Sequence, residues 1–407
     1  MLARSLSSLC PGRKETVNGN TICVALVGMG WAGAMHAKAY SHVYGVDVRR
    51  KTVCALEESV PEFAARNAFE GYTRDYEAVL RDPEIDVVDI TTPPYLHRDM
   101  IVRAMRAGKD VICEKPLTGY FGTPDDEKPI GSVSKEKMLR EVRRAVSEIE
   151  AVQRETGKRF FYAENWVYAP AFVRACELIR QKGTTLVQMD SIAGHKGSTA
   201  AYVKYWEKSG GGVLPRNLIH PLSAAICAKR LEMEAKGLAY GVQSVYCDCS
   251  QVMKGVENRY IEADPVDTED WAHVVITFGD GTKATLTSGD TFVGESVTTF
   301  DMYGNDAVFK CKFSQSDLLD VYFSDEKGVE DAYFVEKNDS NAGHHRAIVS
   351  EEIIRGYYGE IQDFMECVRD NREPVSGLQL AREATELVQI AYLSAEKRRT
   401  VFLSEIE

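Results

Sequence analysis

A glycine-rich turn between an apolar strand and a helix constrains the fold of this chain more than any other feature. The run Ile22–Val27 has the composition of a short buried strand, and the motif GMGWAG follows it at 28–33, ahead of a helical stretch from Ala34 to Tyr40. In such a motif the first glycine allows the tight turn, the second admits a pyrophosphate and the third lets helix and strand pack closely. The helix N-terminus then faces the anion. Strand, turn and helix follow in the order that a dinucleotide site requires, so we expect the motif residues to line a cofactor: Gly28, Met29, Gly30, Trp31, Ala32 and Gly33.

An acidic residue after the next predicted strand bears on which dinucleotide binds. Thr52–Leu56 is typical of a strand and is followed by Glu57, twenty-four residues after Gly33. An acid at this place binds ribose hydroxyls and repels a 2′-phosphate, so the sequence favours NAD over NADP. The alternative is that Glu57 only caps the following helix.

Two more strands and a helix extend this unit. The apolar run Ile85–Ile90 is followed by a loop, by a helix over Met100–Ala107 that Gly108 ends, and by a strand over Lys109–Cys113. This order predicts a parallel sheet, and ligands of such sheets bind at the carboxyl ends of the strands. We therefore expect cofactor contacts from the residues that follow the two strands: Thr91, Thr92, Pro93, His97, Glu114 and Lys115.

Three stretches of the sequence resemble the Gfo/Idh/MocA family of sugar and polyol oxidoreductases. They are GMGWAGAMHA at 28–37, TTPPYLHRDMIVRAMRAGKDVICEKPL at 91–117 and GGGVLPRNLIH at 210–220, and the segment 359–399 is similar to the family's C-terminal part. The resemblance implies an α/β chain: an N-terminal Rossmann domain and a C-terminal α+β domain with a large, mostly antiparallel open sheet. We expect a flexible extension over 1–20, the dinucleotide-binding domain over 21–158 and a substrate-binding and oligomerisation domain over 159–407.

The sequence of the second domain agrees with this expectation. Alternating stretches at 271–278 and 282–287 flank Gly279-Asp280-Gly281, which predicts a β-hairpin. An open sheet has faces and edges that must be covered, so we expect a homodimer or homotetramer. Residues 118–136 depart from the family pattern and read as an inserted loop, either a surface excursion or a lid or wall of the substrate pocket.

The resemblance implies two catalytic residues. Oxidation of an alcohol removes a hydride from carbon and a proton from oxygen, and the protein must manage the proton and the developing charge. Lys115 corresponds to the lysine that binds the reacting oxygen, and His220 to the histidine that accepts the proton, a role that suits an imidazole. The alternatives are a solvated surface charge for Lys115 and a helix-cap or core residue for His220.

The sequence departs from the family four residues before this histidine. The family commonly has an aspartate there, which would orient the imidazole, and this chain has Arg216. An arginine at this position could instead bind an anionic sugar through a bidentate fork. The adjacent Asn217 is expected to point about 100° away on a helix.

Two other segments offer candidates for ligand contacts. In Ala163–Pro170, Asn165 is expected beside the cofactor, and Trp166 and Tyr168 have the stacking and hydrogen-bonding character that sugars use. His195 follows a predicted strand over Thr185–Ser191. Each could equally be structural. The predicted substrate-binding set is Lys115, Trp166, Tyr168, His195, Arg216 and His220.

These residues predict an NAD-dependent dehydrogenase of a sugar, glycoside or cyclitol. The alternative is a redox-neutral glycosidase, lyase or epimerase that passes through a transient keto-sugar and needs a second base, from His195, Tyr168 or Glu164. A non-enzymatic sensor is disfavoured because both Lys115 and His220 are present.

The composition indicates which kinds of partner the protein binds and in which cellular compartment it is found. Lys+Arg 49 against Asp+Glu 61 gives a net charge of −12, which disfavours nucleic acid. No apolar run approaches the roughly 20 residues that cross a bilayer. The cysteines are interpreted as reduced thiols, which predicts a cytoplasmic protein. No metal is expected, because Cys247-x-Cys249 lacks a second pair and His344-His345 lies in a polar stretch.

Overall fold

The first part of the chain forms a parallel β-sheet in the computed structural model, which describes residues 21–406 apart from 258–259, 263, 295, 315–319, 331–339 and 347–349. The predicted extension over 1–20 lies outside the described residues. The six strands of this sheet, sheet A, have the order β3-β2-β1-β4-β5-β6, in which the strand order reverses at β1 and β4. This is the predicted doubly wound arrangement, and its ligand crevice lies at that reversal.

The elements of this part alternate strand and helix, as the sequence predicts. They are β1 (Ile22–Val27), α1 (Trp31–Tyr40), β2 (Val48–Cys54), α2 (Val60–Arg66), β3 (Gly71–Thr73), α3 (Tyr76–Arg81), β4 (Val87–Ile90), α4 (His97–Arg106), β5 (Asp110–Glu114), α5 (Lys135–Thr156) and β6 (Phe160–Ala163). All residues of β1, β4, β5 and β6 are buried, because helices cover both faces of the sheet.

Sheet A continues past residue 158, where we expected the dinucleotide-binding domain to end. β6 begins at Phe160 and pairs in parallel with β5, so sheet A extends to Ala163. The sequence pattern missed this strand because only three residues separate its buried run from the end of α5. Two C-terminal helices also return to the Rossmann part: α10 (Tyr357–Asp370) packs on α1, and α11 (Leu378–Lys397) packs on α5.

The second part of the chain is built on a seven-stranded sheet, sheet B, with the order β12-β11-β7-β10-β9-β8-β15. Only the β7–β10 pair is parallel among these ladders, which confirms the mostly antiparallel sheet. The predicted hairpin is present, with Thr277 opposite Lys283 and Gly281 at φ +90°. The elements are α6 (Pro170–Lys182), β7 (Leu186–Gly194), α7 (Trp206–Ser209), α8 (Ile219–Lys236), β8 (Val242–Ser250), β9 (Trp271–Phe278), β10 (Lys283–Gly289), β11 (Val297–Gly304), β12 (Val308–Lys312), β13 (Asp320–Phe323), β14 (Gly343–Arg346), α9 (Glu351–Ile354) and β15 (Val401–Phe402).

The inserted segment 118–136 is packed against the second domain. Ile130 and Tyr120 in it are buried, and the Gly131 N–H donates to the Asp267 carboxylate at 3.1 Å. Gly131 has no room for a side chain, since a Cβ would lie 2.3 Å from the Asp267 carbonyl oxygen. The segment therefore connects the two domains through buried side chains and a hydrogen bond.

Two searches of the described residues bear on membranes and metals. None of the helices they form is both long enough and apolar enough to cross a bilayer. No three of their His, Cys, Asp or Glu side chains come together in a group that could hold a metal ion.

A buried lysine fixes the helix that carries His220 to sheet B. The ammonium of Lys229, on α8, is fully buried and lies 2.7 Å from the Glu232 carboxylate and 2.6 Å from that of Asp280 in the β9–β10 turn. An ammonium removed from water in this way is stable only while its counter-charges remain in place.

We expect Lys229→Met to destabilise the protein by about 3 kcal/mol, the low end of the range for breaking a buried ion pair, because Lys236 still contacts Glu232. The change would appear as a lower midpoint of urea denaturation. Arg144→Met, at a side chain 84% exposed on α5, is the control and should leave the midpoint in place. Equal midpoints for the two variants would contradict the prediction.

Candidate active site

A cavity of about 1110 Å³ opens where the carboxyl ends of sheet A face the second domain. Its walls come from the glycine-rich turn, the loops after β4 and β5, the end of β7 and the start of α8. Ligands of doubly wound sheets bind at this edge, so the position of the cavity agrees with the predicted dinucleotide site.

The three glycines of the turn have three different roles. Gly28 has φ +103°, and a Cβ on it would lie 2.8 Å from the Thr91 carbonyl oxygen. A Cβ on Gly33 would lie 2.7 Å from the Gly28 carbonyl oxygen, so this glycine permits the close packing of α1 on β1. A Cβ on Gly30 would meet nothing within 4 Å, which leaves room for a ligand. No acidic residue stands in the first turn of α1, so its N-terminus keeps a positive potential toward a pyrophosphate.

The structure brings most of the predicted cofactor residues to this cavity. Two of the predicted residues, Gly33 and His97, do not line the cavity themselves. His97 is fully buried between two loops: its Nδ1 is 2.8 Å from the Pro116 carbonyl oxygen, and its Nε2 is 2.8 Å from the Thr92 carbonyl oxygen. His97 therefore holds the Thr92 loop against the turn after β5. The residues that line the cavity are Gly28, Met29, Gly30, Trp31, Ala32, Glu57, Thr91, Thr92, Pro93, Glu114, Lys115 and Asn165.

Lys115 extends from the carboxyl end of β5 to the second domain. Its Nζ donates to the carbonyl oxygen of Arg216 at 2.6 Å, and its backbone N–H donates to the Glu114 carboxylate at 3.0 Å. The ammonium is thereby held in the cavity wall by a carbonyl group of the second domain, where it can bind an oxygen that gains negative charge.

His220 is paired with a carboxylate from the end of β6. Its Nδ1 lies 2.6 Å from Oε1 of Glu164, which is fully buried, and its ring is stacked on Trp166 at 5.5 Å between centroids. When the bonding proton is on Nδ1, Nε2 carries the lone pair that can accept a proton. Glu164 therefore gives His220 a carboxylate partner, although Arg216 stands at the position where the family commonly has an aspartate.

Burial raises the pKa of Glu164 well above its usual range, and the Lys115 ammonium acts against this effect. The lysine acts toward the ionised carboxylate, the form that holds a proton on Nδ1 of His220, but it does not outweigh burial. Lysine, glutamate and histidine form one electrostatic unit, although they stand on β5, β6 and α8.

The structure pairs Arg216 with Asp290, just after β10, in a contact between the guanidinium Nη2 and the carboxylate. Residues 214–218 form a π-helical turn, so Asn217 lines the cavity together with Arg216 and its amide lies 3.3 Å from Nε2 of His195. Arg216 and Asn217 can both line a cavity of this size although successive side chains of a helix point in different directions. His195, Trp166 and His220 also line the cavity, as expected.

Tyr168 does not reach the cavity. Its hydroxyl donates to the Asp363 carboxylate at 2.8 Å and accepts the Ser376 N–H at 2.9 Å, which joins β6 to the C-terminal helices. No local pattern separates this tyrosine from its neighbours Asn165 and Trp166, which do line the cavity.

A buried charge cluster beneath Glu114 was not found by sequence reasoning. The fully buried His36 has Nδ1 2.9 Å from the Asp89 carboxylate and Nε2 3.4 Å from that of Glu114. Burial opposes its charged form, but Asp89 and Glu114 outweigh burial and raise the pKa of His36 well above its usual range. His36 stands in the stretch GMGWAGAMHA, and its spacing from Gly33 was the one available indication.

A dinucleotide turn that faces a lysine and a histidine–glutamate pair is an arrangement that suits a nicotinamide-dependent oxidoreductase. The chain belongs to the Gfo/Idh/MocA oxidoreductase family: the model of its NAD-binding Rossmann fold matches residues 22–140, and that of its C-terminal α/β domain matches residues 191–403. NAD is the cofactor of this chain, and the glycine turn and Glu57 fit it.

Several known proteins are similar over most of the chain. Levoglucosan dehydrogenase of Pseudarthrobacter phenanthrenivorans is 26% identical over 328 residues, 75% of this chain and 77% of that protein. Among solved structures, GenD2 from gentamicin A biosynthesis in complex with NAD has a TM-score of 0.76 at 22% identity, over 97% of this chain and 99% of its own. A levoglucosan dehydrogenase complex with NADH and levoglucosan has a TM-score of 0.70 at 19% identity, over 94% and 99%. At these identities the structural likeness shows the fold alone.

We expect Glu164→Gln to lower kcat/KM by about two orders of magnitude, within the range that general acid–base catalysis supplies. An amide that donates to Nδ1 would leave the proton of His220 on Nε2, the wrong tautomer for a base. NAD affinity should be unchanged, and the limb of the pH profile that reports the pair should move. Glu148→Gln, at a side chain 45% exposed on α5, is the control. A wild-type pH profile for Glu164→Gln would refute a positioning role.

Proposed function

We propose that the protein is an NAD-dependent dehydrogenase that oxidises a hydroxyl-bearing carbon of a neutral sugar, glycoside or cyclitol. The observation that carries this proposal is the convergence of Lys115 and the Glu164–His220 pair on the cavity that the glycine turn lines. Relatives named as levoglucosan and inositol dehydrogenases support the class of substrate.

The chain's own residues divide the proton chemistry between them. Bound NAD supplies the acceptor for the hydride. The Lys115 ammonium binds the substrate hydroxyl oxygen and stabilises its negative charge as the proton leaves. His220 accepts that proton at Nε2, and Glu164 stabilises the imidazolium through Nδ1.

The surroundings of Arg216 favour a neutral substrate over an anionic one. Asp290 is 4% exposed and balances the charge of the guanidinium, and its carboxylate also lies 3.5 Å from Nδ1 of His195. An acidic sugar would have to compete with this carboxylate for Arg216 in a largely buried site. Polar side chains such as Asn217 and Thr199 are suited to sugar hydroxyls instead.

A redox-neutral reaction is the second candidate, and His195 is the observation that favours it. Elimination from a transient keto-sugar needs a second base, and His195 lines the same cavity as His220. The Gly197 N–H donates to its Nδ1 at 2.9 Å, which fixes the ring with the proton of the neutral imidazole on Nε2, so His195 can act as a base only when this hydrogen bond is released. In this reaction NAD would be regenerated in every turnover.

Incubation with NAD and a panel of neutral and acidic sugars, cyclitols and glycosides tests both candidates. For a dehydrogenase we expect NADH and keto-sugar in equal amounts, by absorbance and mass spectrometry, with neutral substrates preferred. Product at catalytic NAD without NADH would establish the redox-neutral reaction and refute the dehydrogenase. Lys115→Met should abolish turnover, because the lysine acts on the substrate oxygen.

We also propose that the protein is a homo-oligomer that uses the outer face of sheet B. Tyr246 and Ile192 on this face are each 39% exposed, and Tyr246 stands beside Val275 across the β8–β9 ladder. Burial of this face in a second copy would remove apolar surface from water. Sedimentation velocity should give a dimer or tetramer, and Ile192→Lys should shift it toward the monomer; a monomeric wild-type protein would refute the assignment.

A further inference from the structure

Arg355 brings a cation from the second domain to the glycine turn. It lies between α9 and α10, where the chain returns to the Rossmann domain, and it is only 9% exposed although it lines the cavity. Its guanidinium carbon is 6.0 Å from the ring centroid of Trp31, a residue of the turn. The side chain therefore lies beside the turn, in the wall of the cavity.

The backbone around Arg355 fixes this placement. The Asn165 side-chain amide donates to the Arg355 carbonyl oxygen at 2.7 Å. Gly356 has φ +95°, and a Cβ there would lie 2.2 Å from the Asn165 carbonyl oxygen, so the chain passes too close to β6 for any other residue. Nε of Arg355 is 3.0 Å from the Glu351 carboxylate, which sets the orientation of the guanidinium plane. The arginine is preorganised, and binding a ligand would cost it little conformational entropy.

The charges of the cavity leave a place for this cation. The turn itself, GMGWAG, has no lysine or arginine, so the Rossmann side offers an anion only backbone N–H groups and the α1 N-terminus. Lys115 is bonded to the Arg216 carbonyl, and Arg216 is paired with Asp290. A dinucleotide pyrophosphate carries two negative charges, and among the described residues Arg355, although it is ion-paired with Glu351, places its guanidinium over Trp31 of the turn.

We propose that Arg355 binds the pyrophosphate of NAD from the side of the C-terminal domain. A guanidinium is suited to this role because its planar fork matches phosphate oxygens. Tyr357, whose ring meets Trp31 edge-on at 5.7 Å, closes the same side of the turn. The bound dinucleotide then connects both domains. The proposal rests on NAD as the cofactor and is independent of the sugar.

Calorimetry of the purified full chain tests the assignment. Arg355→Met should raise the Kd of NAD and of ADP-ribose, which share the pyrophosphate, by about tenfold or more, the effect of losing a charge-assisted hydrogen bond. Adenosine, which has no phosphate, should bind as to the wild type when followed by NMR. Arg355→Lys keeps the charge without the fork and should lie between the two, so the test remains decisive if the methionine variant folds poorly.

The matched control is Arg66→Met. Arg66 also stands over an aromatic ring, 5.8 Å from the centroid of Phe63, but it is exposed and does not line the cavity. It should leave the Kd of NAD unchanged. Wild-type NAD affinity in both Arg355 variants would overturn the proposal, as would an equal loss of adenosine binding. Unchanged NAD affinity with weaker binding of an acidic sugar would assign the arginine to the substrate instead.

Discussion

The hydrogen bond from Lys115 Nζ to the Arg216 carbonyl oxygen is the contact on which the geometry of the site depends. It joins the carboxyl end of β5 to the π-helical turn ahead of α8, and so sets the distance between the lysine of one domain and the histidine of the other. A carbonyl is a suitable partner, because it holds the ammonium in place without neutralising its charge. The full positive charge remains to act on Glu164 and on a substrate oxygen.

The site contains more buried carboxylates than buried cations. Asp89, Glu114, Glu164 and Glu360 are all buried within the reach of one another's charges, and burial raises the pKa of Glu360 well above its usual range. Burial also opposes ionisation of Glu114, but His36 and Lys115 outweigh it and lower the pKa of this carboxyl. In a medium of low polarity each carboxylate is ionised only where a cation lies beside it. The arrangement of His36 and Lys115 therefore decides which acids are charged.

A feature could be predicted from the sequence where the residues that form it are close together in the chain. The strand, glycine turn and helix at 22–40 are encoded in consecutive residues, and so is the β9–β10 hairpin. The partner of His220 is fifty-six residues earlier, and that of Arg216 is seventy-four residues later. These pairs depend on which strand ends face each other, which no local pattern contains. The role of Glu164 could nevertheless be predicted. It follows β6 just as Glu114 ends β5, and neighbouring parallel strands present their carboxyl ends to the same crevice.

The return of α10 and α11 to the Rossmann part has a consequence for biosynthesis. A ribosome releases the glycine turn early, yet the helices that cover α1 and α5 lie at residues 357–397, and Gly377 bridges to Phe161 of β6. The nascent N-terminal domain must therefore expose apolar helix faces until synthesis has passed these helices. Such an intermediate is a natural client for chaperones, and a stop codon ahead of residue 357 would damage the first domain as much as the second.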